Sequence, residues 1–267
     1  MLKLYHDPVS ANSQKVRLVL AELHVEWTDH SVSLLAGEQH APEYRRINPR
    51  GEVPALVDGD FALSESAAIN EYLADLNPDS DIRPADAQGR ALMRHWMQRL
   101  SDQLTEACGV LSYAVAVRPL QLAEPREDVL ARIAKMPDPA KRAVRIAVFE
   151  HGIEAPPFAR GLNQHVRMLA NVEAQLGETD WMAGPSYTLA DATLFPYVLR
   201  LEHLAMSSLW AELPNVTRWL ARCRERESYQ VAIEAHAPPG LVEFTTQAGE
   251  AVWPQVAAMV EPVERAT

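Results

Sequence analysis

Cysteine is scarce in this chain: Cys108 and Cys223 are the only two among 267 residues. They stand far apart and form no CxxC, which excludes a disulfide scaffold or a dithiol redox centre and suits a reducing compartment. Each thiol then reads as a small core side chain. Positive charge is also short, with 25 Lys and Arg against 36 Asp and Glu, a formal net charge of −11. Nucleic-acid binding draws on clustered cations that release counterions, so no nucleic-acid partner is expected. Arg45, Arg46 and Arg50, the cations that do cluster, suit a small local anion site. No stretch reaches the roughly 18 uninterrupted apolar residues of a membrane span, and Lys3, His6 and Asp7 break up the opening segment. A cytoplasmic chain with no membrane partner is the expectation. HExxH, GxGxxG, GxxxxGK and GxSxG are all missing, and the nine histidines show no ligand spacing, so metal, dinucleotide and serine-hydrolase chemistry are not expected.

Nearly half of the residues are hydrophobic, enough for one large domain or two ordinary ones. "LKLY" reads as a strand, and "SQKVRLVLAELHV" as a helix with one apolar face. "HVEWTDHSVSL" alternates as a second strand. "VPALVDG" and "FALS" flank the turn at Asp58 and Gly59, and "SAAINEYLADL" returns to helical period. This βαβ-then-ββα order predicts a thioredoxin-like α/β domain over residues 1–77. "NPDSDIRPAD" then carries two prolines and three aspartates and predicts a linker over 78–86. Beyond it, Leu92, Trp96, Leu100 and Leu104 recur every fourth residue, and similar spacing follows Leu162 and Leu189, which predicts an all-helical domain over 87–235. Residues 118–160, rich in proline and charge, predict short helices between irregular turns. Phe244 and Trp253 predict that a C-terminal tail, 236–267, packs back on the helices.

Four short stretches carry possible chemistry. In "PVSANSQK", two serines and an asparagine stand where a strand hands over to a helix, as capping residues or as holders of a reactive atom. In "NPRGEVPALVDG", Pro54 has no N–H for a ladder and belongs at a strand start or edge. A cis Val53–Pro54 bond would instead leave the Val53 backbone open to an added peptide. In "LSESAAINEYLADL", Ser66 opens a helix, where a hydroxyl and free N–H groups suit a carboxylate, and Glu65 beside it suits an ammonium. A plain N-cap explains the same residues. Thr188 and Asp191 in "YTLADATL" have capping-box spacing and read as structural.

Taken in order, "NPRGEVPALVDG", "LSESAAINEYLA", the linker and "WMAGPSYTLADA" resemble the cytosolic glutathione transferases over most of the chain. The resemblance implies a thioredoxin-like domain that holds glutathione as co-substrate, a helical domain that walls an electrophile pocket, and a homodimer. It places Val53 and Pro54 against the cysteinyl backbone of glutathione, Glu65 and Ser66 at its γ-glutamyl end, and Gln39, His40 and Arg50 at its glycine carboxylate. Ser10 falls at the position of the catalytic serine of the plant phi and theta classes. The chain also resembles bacterial lignin β-aryl-etherases through "ANS" before Lys15, "INPRGEVPAL", "RPADAQGRALMR" and the proline-rich insertion, and that pattern favours Asn12 and Ser13. Three candidates for the group that meets the thiol therefore stand together.

A hydroxyl or amide N–H that donates to sulfur, at a helix N-terminus, favours thiolate over thiol and makes glutathione a nucleophile at neutral pH. No Tyr or Cys occupies the turn, which points to conjugation or displacement rather than thiol–disulfide exchange. Trp96, Met97, Leu100 and Tyr113 are the candidate pocket residues, although a helical apolar stripe is more often core. The expected activity is thiolate attack on a hydrophobic, aromatic electrophile, with β-aryl ether cleavage as its sharper form. Glutathione-dependent dehalogenation and a non-catalytic glutathione-binding module are the alternatives.

Overall fold

The computed structural model describes residues 1–262; the last five residues of the expected tail lie outside the described residues. Strand β1 (Leu2–His6) leads into helix α1 (Ala11–Glu22) and parallel strand β2 (Trp27–Ser31). Short helix α2 (Pro42–Ile47) precedes the hairpin β3 (Ala55–Asp58) and β4 (Phe61–Ser64), whose two-residue turn starts at Gly59 with φ 57°. The sheet runs β2-β1-β3-β4, with β1–β2 parallel and β1–β3 and β3–β4 antiparallel. Helix α3 (Ser66–Leu76) lays Ile69 and Leu73 into the core. This is the thioredoxin-like arrangement.

The remainder is helical. Helix α4 (Ala87–Ser112) starts where the Asp86 carboxylate accepts from Gly89 N at 2.8 Å, and it runs into a π-helical turn at Tyr113–Val117. Helices α5 (Arg118–Gln121), α6 (Arg126–Ala134) and α7 (Pro139–His151) form the proline-rich insertion. Then come α8 (Pro156–Glu178), α9 (Leu189–His203), α10 (Pro214–Arg224), α11 (Glu227–Ala232) and α12 (Leu241–Ala257). Helix α9 is buried over almost its whole length, and α1, α4 and α12 pack around it. Its Thr188–Asp191 capping box is formed, and Asp191 also accepts from Met182 N and from the Trp219 indole at 2.9 Å.

Helix α1 is buried on every side from Ser13 to Leu20 because the sheet, α3, α9 and α11 surround it. A helix with only one apolar stripe would not tolerate this; here Lys15 and Arg17 are buried too and must find internal partners. At the far end, α12 packs Phe244, Val252 and Trp253 onto the core. Its Gly249 lies so close to the Leu204 carbonyl that an added Cβ would stand 2.0 Å from the oxygen. No helix among the described residues is long and apolar enough to cross a membrane.

Candidate active site

A cavity of about 400 Å³ opens between the start of α1, the segment after β2 and helices α4, α6, α7 and α9. At its inner end Ser10 is the N-cap of α1, its hydroxyl accepting from Ser13 N at 3.3 Å. Accepting leaves the hydroxyl proton free to donate elsewhere, next to the positive end of the helix. The loop before it is held from three directions. Asp7 accepts from Val9 N at 2.8 Å and Leu34 N at 2.9 Å, Arg17 donates to Pro8 O at 2.8 Å and to Ala232 O at 2.7 Å, and Arg200 donates to Val9 O.

Asn12 also lines the cavity. Its Oδ1 accepts from the Lys15 ammonium at 2.9 Å; Lys15 donates in turn to the Tyr197 hydroxyl at 2.5 Å, which lies 2.7 Å from Thr105 Oγ1. Burial lowers the Lys15 pKa to about 7 and raises that of Tyr197. Ser13 does not reach the cavity: its side chain is fully buried, and its hydroxyl has no partner among the described residues.

The opposite wall is made by Gln39, His40, Gly51 and Val53. Gln39 Oε1 and His40 Nδ1 are buried without hydrogen-bond partners among the described residues, so this wall has polar capacity to spare for a ligand. The His40 pKa is lowered by burial and by Arg45, Lys135 and Arg145 around it. Gly51 has φ 63°, and a Cβ there would sit 2.8 Å from His40 Nδ1, so any side chain would displace the imidazole. The Val53–Pro54 bond is cis, and the β3 ladder begins just after it at Ala55. The pairing of Ala55 with Ser64 brings Glu65 alongside Pro54. Glu65 has φ 70°, in the region that favours glycine, and its exposed carboxylate accepts from Arg50 at 2.8 Å. Ser66 is the first residue of α3. Arg50, Pro54, Glu65 and Ser66 therefore sit together at one edge, outside the cavity lining itself.

Tyr113 lines the outer chamber with Val110, Val117, Ile133, Val144 and Val148. Trp96, Met97 and Leu100 do not: they are buried between α4 and its helical neighbours. The reason is steric. Large apolar side chains fill the core, whereas the cavity face of α4, beside Glu106 and Val110, carries Thr105, Cys108, Gly109 and Ser112 at helical spacing, small enough to leave room. Cys108 is buried in the core, as expected, and also lines this wall, with its thiol pKa raised by burial. Residue patterns do not mark Arg17 and Arg200, and mark Lys15 only as the neighbour of "ANS"; charge inside the apolar run "KVRLVL" is the signal available for Lys15 and Arg17.

The N-terminal domain of glutathione S-transferases matches residues 4–81, and the C-terminal domain of the same family matches residues 139–227. The chain belongs to the glutathione S-transferase family. It is 30% identical to glutathione S-transferase TCHQD of Arabidopsis thaliana, over 87% of this chain and 89% of that one. Glutathione S-transferase 3 of Zea mays is 29% identical over 88% and 94% of the two chains. Among solved structures, the beta-etherase LigF from Sphingobium sp. strain SYK-6 superposes with a TM-score of 0.79 and 26% identity, covering 88% of this chain and 99% of that one. The enzyme is thus a glutathione S-transferase, with glutathione as its co-substrate, and its sheet and helical domain are those of that fold.

Proposed function

We propose that this transferase activates the glutathione thiol at the start of α1 and delivers it to an aromatic electrophile in the chamber beside Tyr113. The observation that carries this reading is the continuity of one cavity from Ser10 and Asn12 to the apolar wall of Val110, Val117 and Val148. On this reading the Ser10 hydroxyl donates to the sulfur first, with the Asn12 amide as a second donor, and the thiol proton leaves to solvent. Ser13, buried and off the cavity, serves the helix rather than the thiol. Val53 and Pro54 hold the cysteinyl backbone, Glu65 and Ser66 the γ-glutamyl end, and Gln39 and His40 the glycine carboxylate with Arg50 assisting.

The bond that breaks in the sharper form is an aryl ether. Thiolate sulfur attacks the carbon that bears the ether oxygen, a C–S bond forms, the C–O bond breaks and a phenolate leaves with the electron pair. Similarity to the beta-etherase LigF, 29% identical over 87% of this chain, supports this form. Incubation of the enzyme and glutathione with a β-aryl ether tests it by the phenol released. No phenol, with chlorodinitrobenzene still conjugated, removes ether cleavage and keeps the transferase reading. We place the reaction in the cytoplasm, on a homodimer; both cysteines are buried and unpaired, as suits a reducing compartment.

A further inference from the structure

The outer chamber holds a cation for which thiol activation has no use. Arg145, half-buried on α7, lies on the cavity wall with its guanidinium carbon 4.0 Å from the centroid of the Tyr113 ring. Neighbouring cations are engaged: Arg132 with Glu124 at 2.9 Å, Lys141 with Glu52, and Arg118 with Phe149 O at 2.7 Å. Among the described residues no carboxylate pairs with Arg145; the only group that favours its charge is Tyr113. That ring is pinned, because its hydroxyl donates to Gln121 Oε1 at 2.6 Å. A ring face attracts a guanidinium through its quadrupole, and the side-chain hydrogen bond that Arg145 shares with Tyr113 leaves most of its five planar N–H donors for a ligand. An unpaired, partly desolvated guanidinium in a cavity that Val110, Val144 and Val148 also line, with its neighbouring cations already engaged, is the arrangement that a carboxylate, presented in the plane of the fork, would complete.

We propose that the electrophile of this enzyme is an aromatic carboxylate, its ring lying among Val110, Val117 and Val148 and its carboxylate paired with Arg145. This rests on the transferase reading above and adds a substrate class to it. Conjugation of chlorodinitrobenzoate would follow the balance of the family reaction: thiolate sulfur bonds to the chlorine-bearing carbon, the C–Cl bond breaks, and chloride leaves with the pair.

Binding and turnover are measured separately so that the two readings fail separately. With the thiol site occupied by S-methylglutathione, dinitrobenzoate is expected to bind the wild-type enzyme at least about tenfold more tightly than neutral dinitrobenzene, a charge-assisted pair accounting for the difference. Arg145→Met is expected to abolish that preference and Arg145→Lys to retain part of it. Equal affinity of the wild type for the two compounds overturns the proposal without any need for a folded variant. Turnover of chlorodinitrobenzene and chlorodinitrobenzoate supplies the second axis. If Arg145→Met raises KM for glutathione with both electrophiles alike, the arginine meets the glycine carboxylate and the proposal is overturned. If neither electrophile is conjugated while the carboxylate preference in binding persists, it is the transferase reading that fails.

Discussion

Lys15 Nζ lies 2.9 Å from Asn12 Oδ1, one turn further along α1 and sealed from solvent. An ammonium has only donors, so Asn12 must turn its oxygen toward Lys15, which leaves the amide NH₂ as the group that can donate to the cavity. Lys15 thereby positions a donor that it never touches a ligand to supply. In Lys15→Met only the Tyr197 hydroxyl, at 3.3 Å, still donates to the Asn12 oxygen, so the amide is held less firmly, and the pKa of enzyme-bound glutathione is expected to rise by up to about one unit, worth about 1.4 kcal/mol. The ultraviolet absorbance of the thiolate, titrated against pH, reads this directly. A variant that is less stable but keeps the bound thiol at its wild-type pKa would restrict Lys15 to packing.

The hydroxyl of Ser10 caps α1 and, on the proposed mechanism, also meets the sulfur; the two tasks separate by substitution. Glycine is tolerated at an N-cap at a cost of a few tenths of a kcal/mol, whereas alanine costs about 1. Ser10→Gly is therefore expected to keep the melting temperature within a few degrees of wild type while kcat falls by about 100-fold, the scale for loss of one donor to a developing charge. Ser13→Ala removes a buried hydroxyl that has no partner among the described residues, and is expected to be neutral or stabilising with kcat within about threefold of wild type. If the two kinetic effects come out reversed, Ser13 carries the thiol and the cavity wall has been assigned to the wrong residue.

Burial of Lys15 makes stability depend on pH in a direction of its own. The folded pKa, about 7, lies below the unfolded value of about 10.4, so between these limits the unfolded chain holds a proton that the folded one has released. More protons on the unfolded side means that stability rises with pH across this window, by at most about 1.4 kcal/mol per pH unit. The buried tyrosines and Cys108 titrate with the opposite sign at the alkaline end, so the measurement is the difference between wild type and Lys15→Met. That difference is expected to move in favour of the wild type from pH 7 to pH 9 in urea unfolding. No change across the range would mean that the ammonium keeps its proton inside the fold.

The local structure at Ser10, Pro54 and Ser66 was legible in the sequence because each part is a local device. Pro54 ahead of an apolar strand, Ser66 at the start of an apolar period and Ser10 before another are readable from neighbours in the chain. The outer chamber was not, because its wall on α4, besides Glu106 and Val110, is made by Thr105, Cys108, Gly109 and Ser112, whose shared property is small size. Periodicity finds the stripe of Trp96, Met97 and Leu100, and that stripe faces the core. Lys15 and Arg17 have the local pattern of solvated helix charges. Only the arrival of α9 and α11, more than 170 residues later in the chain, encloses them. Arg145 escaped for the same reason, since the partner ring at Tyr113 comes from a different helix.

Asp191 offers a test of which effect governs a buried carboxylate. It is fully buried and accepts from Met182 N and Thr188 N, each at 3.0 Å, from Thr188 Oγ1 at 3.1 Å and from Trp219 Nε1 at 2.9 Å. Four donors favour the ionised form, whereas loss of water disfavours it. Burial prevails, and the pKa is raised to about 6 from an unfolded value of about 4. A carboxyl whose folded pKa is raised contributes stability that is present below the unfolded pKa and is lost as pH climbs through the folded one. Compared with Asp191→Asn, which cannot titrate, wild-type stability is therefore expected to decline by about 2–3 kcal/mol between pH 4 and pH 6 and to stay level above pH 7. Asp191→Ala should be the less stable variant at every pH, because it strands an indole and two backbone N–H groups, at about 1–3 kcal/mol for each buried group left without a partner. A wild-type advantage over Asp191→Asn that grows with pH would show the four donors outweighing desolvation, and Asp191 would then be an anion held by the fold.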